Sequence, residues 1–297
     1  MDKSKKCLFL YNPFAGKKSR HRKFPLILKE VKNLGYEVTL LKTNDDTKNI
    51  RAKVKQACIE KWESIFIAGG DGTINEIIQY ISEERYKPSI GLIPLGTCNE
   101  FAKFLGISNV KKAIAIIKKS NEKAVDIGRI GNIYFTNIAA AGWLGELIYK
   151  TPSHLKSKFG KLAYVYYFTK HYWVNPEEPI TLKIGDHQNE GEISFFMIMN
   201  GDSVGPFRKI HPKAFASDGV FHLLAIKRCN RLALFFILMS KLFHLPVKNA
   251  LVYEDKITAM SFHLPNHLPV NIDGDRKKAD SFTFQVLPKH IKIYVPN

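Results

Sequence analysis

The chain has 297 residues, 45% of them hydrophobic and 24% charged, which are ordinary values for a folded globular protein. That length fits two domains of common size and excludes a disordered, collagenous or purely coiled-coil chain. Lys and Arg number 45 against 27 Asp and Glu, a formal charge of +18; such a field favours nucleotides, nucleic acid or an anionic membrane leaflet without choosing among them.

In chain order, residues 7–11 read as a short buried strand that runs into the loop Asn12-Pro13-Phe14-Ala15-Gly16. Phe24, Ile27, Leu28, Val31 and Leu34 then recur at helical spacing, and Gly35 stands where a helix C-terminus needs a left-handed residue. Strands are expected at 37–42, 64–68 and 89–94. Helical stripes are expected from Ile50, Val54, Ala57 and Cys58, from Ile74, Ile77, Ile78 and Ile81, and from Val110, Ala113, Ile114 and Ile117. This alternation implies a parallel sheet covered by helices. From about residue 127 the rhythm changes to short β-like runs at 133–139, 180–184, 193–200, 220–227, 256–263, 282–287 and 291–295, with helices at 161–173 and 232–242. That pattern implies an antiparallel sandwich or barrel. The expected fold is therefore α/β plus β. Residues 1–126 would form an α/β domain and 127–287 a β-rich domain, with 288–297 packing back on the first. The longest apolar run, 232–239, is far short of the ~20 residues that span a bilayer and is read as a buried or interfacial helix.

Cys7, Cys58, Cys98 and Cys229 show no CxxC spacing, and the ten histidines show no HxH or HExxH spacing. A zinc site and a disulfide framework are not expected, and reduced thiols in a cytoplasmic protein are. No secretory h-region follows the N-terminus.

The chemistry concentrates in three loops that follow strands. Gly69-Gly70-Asp71-Gly72-Thr73 lies between a strand and a helix, where glycines let the backbone approach a phosphate and the helix N-terminus offers free N–H groups. Asp71 repels a phosphate unless a divalent cation bridges them. Pro94-Leu95-Gly96-Thr97-Cys98-Asn99-Glu100-Phe101-Ala102 follows the next strand, and Asn12-Pro13 follows the first. In an open parallel sheet such loops share one crevice at the carboxyl ends of the strands. Taken singly, each loop is also explained by ordinary turn chemistry.

This set resembles the catalytic family of diacylglycerol kinases, which also holds sphingosine, ceramide and bacterial lipid kinases. Val125-Asp126-Ile127-Gly128, Phe135-Thr136-Asn137-Ile138 with Ala141-Gly142, Ala216-Ser217-Asp218-Gly219 and Asn271-Ile272-Asp273-Gly274-Asp275 extend the resemblance over nearly the whole chain. Two positions of the third loop depart mildly, Cys98 and Glu100 replacing Gly and Asp. The resemblance implies an ATP-dependent, Mg²⁺-dependent lipid kinase. Asn12, Pro13, Gly16, Thr43, Gly69, Gly70, Gly72, Thr73, Asn75, Glu76, Gly96, Thr97 and Asn99 would contact the nucleotide. Asp71 and Asp126 would organise Mg²⁺. Asp218, with Phe215 and Val220, would form a structural Mg²⁺ site. Asp275 stands in the place of the family's general-base Glu, one methylene shorter, and Asp273 competes with it; an Asp-Gly turn explains the same residues without catalysis.

A basic cluster runs from Lys3 to Lys23 and could face phosphates or an anionic lipid surface. A nucleic-acid partner is not expected, since neither a helix-turn-helix pattern nor basic residues interleaved with aromatics are present. A lipid substrate at the inner face of the membrane is expected as partner, and a homodimer is left open. The alternatives are an NAD kinase, which shares the Gly-Gly-Asp-Gly-Thr turn, and a non-catalytic nucleotide- or lipid-binding homologue.

Overall fold

In the computed structural model, the described residues are 5–16, 21–43, 46–142, 155, 159, 162–171, 180–184, 187–201, 217–243, 250–264, 268–278 and 281–297. Their contacts divide the chain into one unit of Met1–Ile127 with Pro288–Asn297 and a second of Gly128–Leu287.

In the first unit, strands β1 (Lys5–Tyr11), β3 (Ser64–Gly69) and β4 (Ser89–Pro94) are apolar on both faces, and β3 and β4 are buried at every residue. Strands of this kind must lie inside a sheet covered on both sides. They pair in parallel in the order β2–β1–β3–β4, with β2 (Tyr36–Lys42) at the edge. Helices α1 (Phe24–Asn33), α2 (Thr47–Ile59), α3 (Asp71–Ser82), α4 (Glu100–Phe104) and α5 (Val110–Lys119) connect these strands or follow them. Asp46 caps α2 by accepting the Lys48 N–H at 3.0 Å, and Asn109 caps α5 by accepting that of Lys112 at 3.0 Å. Each such cap contributes about 1 kcal/mol.

The last residues of the chain belong to this unit for identifiable reasons. Ile293 pairs in parallel with Ile90 of β4. The Val295 N–H donates to the Asn121 carbonyl at 2.9 Å. The Tyr294 hydroxyl meets Ser64 Oγ at 2.8 Å and the Tyr36 hydroxyl at 3.3 Å, a buried polar triad with every member engaged.

In the second unit, the strand pairings are antiparallel. The two central strands, β9 (His187–Met199) and β10 (Phe221–Lys227), are buried on both faces. Phe196, Ile198, Phe221 and Leu223 enter one cluster with Phe135, Phe262 and Phe284. Phe195, Met197, Met199, Leu224 and Ile226 enter another, closed by Leu234 and Ile237 of helix α7 (Arg231–Phe243). Asn230 caps that helix by accepting the Ala233 N–H at 2.8 Å. Helix α6 (Leu162–His171) packs Val165 on the same cluster. This layer of strands thus carries one core on each face, and its antiparallel pairing is what the short β-like runs imply.

Element boundaries differ from expectation in three places, each with a cause. The run 133–139 divides into β6 (Ile133–Phe135) and β7 (Ile138–Gly142), because the intervening N–H groups of Thr136 and Asn137 turn to the Asp273 carboxylate. The run 256–263 divides into β11 (Val252–Ile257) and β12 (Ala259–His263), with the Thr258 carbonyl taking the Val286 N–H at 2.7 Å. Conversely, 282–287 and 291–295 join as one strand, β15 (Ser281–Tyr294), which tolerates Pro288. Its first half pairs antiparallel with β12 and its second half parallel with β4. Among the described residues, no helix is long and apolar enough to cross a membrane.

Candidate active site

The loops after β1, β3 and β4 are laced together by the backbone. The Asn12 N–H donates to the Ala68 carbonyl at 2.9 Å, and the Gly69 carbonyl accepts the N–H groups of Leu95 and Gly96 at 2.9 and 3.2 Å. Side chains add to this. Asn12 Nδ2 donates to Thr73 Oγ1 at 2.8 Å, while Asn12 Oδ1 accepts the Phe14 N–H at 2.9 Å and so shapes its own turn. Thr43, after β2, donates its N–H to the Tyr11 carbonyl at 2.9 Å. The approach is closest at glycine. A Cβ on Gly96 would stand 2.5 Å from the Gly70 Cα, and one on Gly16, whose φ is +67°, would stand 2.1 Å from the Leu95 carbonyl oxygen. No other residue type permits those backbones to touch. Asn12, Pro13, Gly16, Thr43, Gly69, Gly70, Gly72, Thr73, Gly96, Thr97 and Asn99 thus lie at or just beyond the carboxyl ends of β1–β4, Gly72 and Thr73 in the first turn of α3.

Helix α3 begins inside this loop cluster. Gly70 precedes it in extended conformation, no side chain caps it, and its first backbone bond is Ile74 N–H to the Gly70 carbonyl at 3.0 Å. A Cβ on Gly72 would meet nothing within 4 Å, so the space over the turn is open. A helix N-terminus with open space above it attracts an anion through its unpaired N–H groups and its dipole.

Asp71 does not point its charge into solvent. Its carboxylate accepts the Phe101 N–H at 3.3 Å, and the N–H groups of Asn99 and Glu100 also face it. These are the opening amides of α4, where Asn99 sits at φ 51° and supplies no cap of its own. Asp71 is therefore the cap of α4, delivered from the neighbouring loop. Burial raises its pKa above the ordinary carboxylate value, and the three amides pull it back down.

The remaining site residues have distinct surroundings. Asn75 and Asn99 are buried, and neither Oδ1 has a partner among the described residues, whereas Asn99 Nδ2 donates to the Gly96 carbonyl at 2.7 Å. Glu76 accepts the Tyr80 hydroxyl at 3.1 Å, one turn along α3. Thr97 and Cys98 are exposed. Asp126, on strand β5 (Glu122–Ile130), is fully buried and accepts the Lys289 N–H at 2.7 Å. Asp218 is exposed and accepts the Val220 N–H at 3.4 Å, a small turn in which Gly219 takes φ 77°. Phe215 lies outside the described residues, as does much of the basic cluster near the N-terminus.

The two acidic candidates of the second unit part company. Strands β13 (Val270–Ile272) and β14 (Asp275–Lys277) form a hairpin whose turn, Asp273-Gly274, has φ of 48° and 98°. This is the positive-φ pair that a tight two-residue hairpin requires. Asp273 accepts the N–H groups of Thr136, Asn137 and Ile138 at 2.7, 3.1 and 2.8 Å and the Thr136 hydroxyl at 3.1 Å. Burial pushes its pKa up to about 6, against the pull of these donors. Asp275, two residues on, is exposed, and its carboxylate accepts no hydrogen bond among the described residues.

His21, which no spacing singled out, pins the first loop. Its Nε2 lies 2.7 Å from the Ala15 carbonyl oxygen and its Nδ1 2.9 Å from the Tyr11 hydroxyl. The carbonyl can only accept, so Nε2 donates and Nδ1 takes the Tyr11 proton. No local signal reveals this role, because it depends on the loop folding back over ten residues.

The family model described as the Diacylglycerol kinase catalytic domain matches residues 6–130, and the YegS C-terminal NAD kinase beta sandwich-like domain matches 147–295. Over 297 residues the chain is 32% identical to a diacylglycerol kinase of Staphylococcus aureus strain bovine RF122 / ET3-1, covering 99% of this chain and 93% of that relative. It matches the enzyme of that name from strain MRSA252 to the same extent. The chain belongs to the diacylglycerol kinase family. A solved structure of a diacylglycerol kinase from Bacillus anthracis str. Sterne superposes with a TM-score of 0.76 at 20% identity, over 100% of this chain and 98% of that one. A second chain from that organism reaches 0.80 at 23% identity, over 100% and 97%. At these identities the two structures bear on the fold alone, an α/β domain followed by a β-sandwich. The glycine loops of the first unit and the β13–β14 hairpin of the second are thus features of a diacylglycerol kinase-family chain.

Among the described residues, no cluster of three or more His, Cys, Asp or Glu side chains could hold a metal by itself. The loops nevertheless suit a nucleotide and a hard cation. The open N-terminus of α3 has the chemistry to receive a phosphate, the Asn75 oxygen without a partner among the described residues could take a donor such as a hydroxyl or amino group, and Asp71 carries the hard oxygen that Mg²⁺ would take beside phosphates and water.

Proposed function

We propose that the chain is an ATP-dependent lipid kinase that phosphorylates a hydroxyl of a lipid such as diacylglycerol. The observation that carries this reading is the contrast within the β13–β14 hairpin: Asp273 accepts from four donors, and Asp275 is exposed with a carboxylate that accepts no hydrogen bond among the described residues. A general base needs a lone pair free to take a proton, and Asp275 has one.

In this reading the amides at the start of α3 hold the phosphates, with Asn12 and Thr73 fixing the loop around them. Gly69, Gly70, Gly72 and Gly96 keep side chains out of the way. Asn75 orients the nucleoside, and Thr43, Glu76, Thr97 and Asn99 complete the lining. Asp71 and Asp126 would hold Mg²⁺, which would supply positive charge to neutralise the phosphates. Asp275 takes the proton of the lipid hydroxyl as its oxygen attacks the γ-phosphate in line. Such transfer depends mainly on positioning and charge neutralisation. The protein would meet its substrate at the cytoplasmic membrane face.

The test is transfer of labelled γ-phosphate to mixed-micelle lipids by wild type, Asp275→Ala, Asp275→Glu and Asp71→Asn. Wild-type activity lost by at least about 10³-fold in Asp275→Ala, and retained in Asp275→Glu, supports the assignment. Full activity in Asp275→Ala would exclude Asp275 as base. A wild type that binds Mg²⁺-ATP and labels no lipid, with Asp275→Glu active, would make the chain a degenerate homologue.

A further inference from the structure

Strands β8 (Ile180–Ile184), β12 and β15 lie side by side in the second unit, and their register sets six polar side chains on one face. Thr181, His263 and Ser281 form one cross-strand row, and Lys183, Ser261 and Thr283 form the next. All six are exposed, while the alternate residues Leu182, Phe262 and Phe284 turn into the core. At sheet spacing the two rows cover about 10 Å by about 7 Å. They line a depression of about 440 Å³.

The chemistry of this face is one-sided. Each of the six side chains can donate a hydrogen bond. Lys183 adds a positive charge, and no residue lining the depression is a carboxylate. The acid that the ladder sets beside the face, Glu192 opposite Thr181, pairs with Arg228 at 2.7 Å. Other classes of ligand fit poorly. A hard cation finds no carboxylate in the lining and meets Lys183. Phe262 and Phe282 complete the lining, but their rings stack on each other at a centroid distance of 5.3 Å and pack with the core, so an apolar ligand meets hydroxyls instead. An extended peptide cannot join the ladder, because β8 and β12 are each paired on both sides. A phosphomonoester matches the face: its three free oxygens accept from the hydroxyls, and its charge of about −2 answers Lys183.

We propose that this face is a binding site for a phosphomonoester, built without any residue of the glycine loops of the first unit. Its test is equilibrium dialysis of the concentrated full chain against labelled inorganic phosphate at pH 7.5, with saturating Mg²⁺ and a non-hydrolysable ATP analogue present. Phosphate is expected to bind with a Kd on the order of 1 mM. Lys183→Gln with His263→Gln is expected to weaken binding at least about tenfold, and Thr283→Val about threefold, each with an unchanged circular dichroism spectrum. Lys111→Gln, which removes an exposed cation of α5, is expected to bind as wild type. Glycerol 3-phosphate and dihexanoyl phosphatidic acid carry the same group on a soluble and a lipid carrier. Displacement of the label by either supports the site, and the tighter competitor names its source. Dimethyl phosphate, a diester with a single charge, is expected to compete at least about tenfold less well. No phosphate bound beside the analogue, equal binding by the double variant, an equal loss in Lys111→Gln, or equal competition by dimethyl phosphate would each overturn the proposal. Phosphate held through Lys183 and His263 by a protein that labels no lipid would refute the kinase reading and leave this site standing.

Discussion

Replacing Asp273 by Ala removes the one acceptor that serves the N–H groups of Thr136, Asn137 and Ile138. Each amide left unpaired costs about 1 kcal/mol where water can partly reach it, and Ala at φ 48° adds about 1 kcal/mol of strain, so the loss approaches about 4 kcal/mol against a neutral Asp273. The carboxyl's own titration works the other way. Its pKa is raised to about 6 in the fold from 3.8, mainly by burial. A raised carboxyl contributes stability that is present below the unfolded pKa and lost as pH rises through the folded one. Two pKa units correspond to about 3 kcal/mol, so wild type should lose up to that amount between pH 3 and pH 7.5 through this group, and Asp273→Ala should not. The penalty of the mutation is therefore expected at about 2–3 kcal/mol at pH 5 and about 1 kcal/mol at pH 7.5. Urea unfolding at the two pH values measures it, and hydrogen exchange of a peptide covering 136–142 reads the freed amides directly. A loss below about 1 kcal/mol at pH 5 with unchanged exchange, or a penalty that grows with pH, would refute the reasoning. Asp273→Asn, which keeps one oxygen and tolerates the left-handed backbone, should lose about half as much.

Two further outcomes test the loop cluster. Gly96→Ala would place a methyl group 2.5 Å from the Gly70 Cα and 2.7 Å from Asn99 Oδ1. Because the first of these is backbone, the loops must separate, and a loss of about 1–3 kcal/mol in thermal or urea unfolding is expected together with weakened ATP binding. Wild-type stability and affinity in this variant would show that the contact is not needed. Of the four thiols, Cys7 and Cys58 are buried and pushed up to about 12 by that burial, Cys229 is partly buried and raised, and Cys98 is exposed. A maleimide should therefore label Cys98 first, read by mass spectrometry, and Mg²⁺-ATP should slow it; labelling unaffected by nucleotide would place the nucleotide elsewhere.

What could be read along the chain is what depends on local pattern. Ile74, Ile77, Ile78 and Ile81 announce α3 by their spacing, and the continuous apolar runs of β3 and β4 announce strands buried on both faces. The glycine turn Gly69–Thr73, placed between a strand and a helix, is legible by the same local logic, and the open start of α3 above it is where the proposed function puts phosphate. The exposure of Leu232 and Phe236 was not legible, because an apolar helix reads alike whether one face or two are covered.

The tertiary structure decided whatever depends on partners distant in the chain. Asp71 and Asp273 are both acidic residues beside glycines, and nothing local distinguishes either from a ligand or a base. Only the fold brings the α4 amides to Asp71 and the 136–138 amides to Asp273, 137 to 135 residues away. It leaves Asp275 exposed on the same hairpin. A carboxylate's role is set by which donors surround it and how much water is excluded, and both are properties of packing rather than of neighbours in sequence.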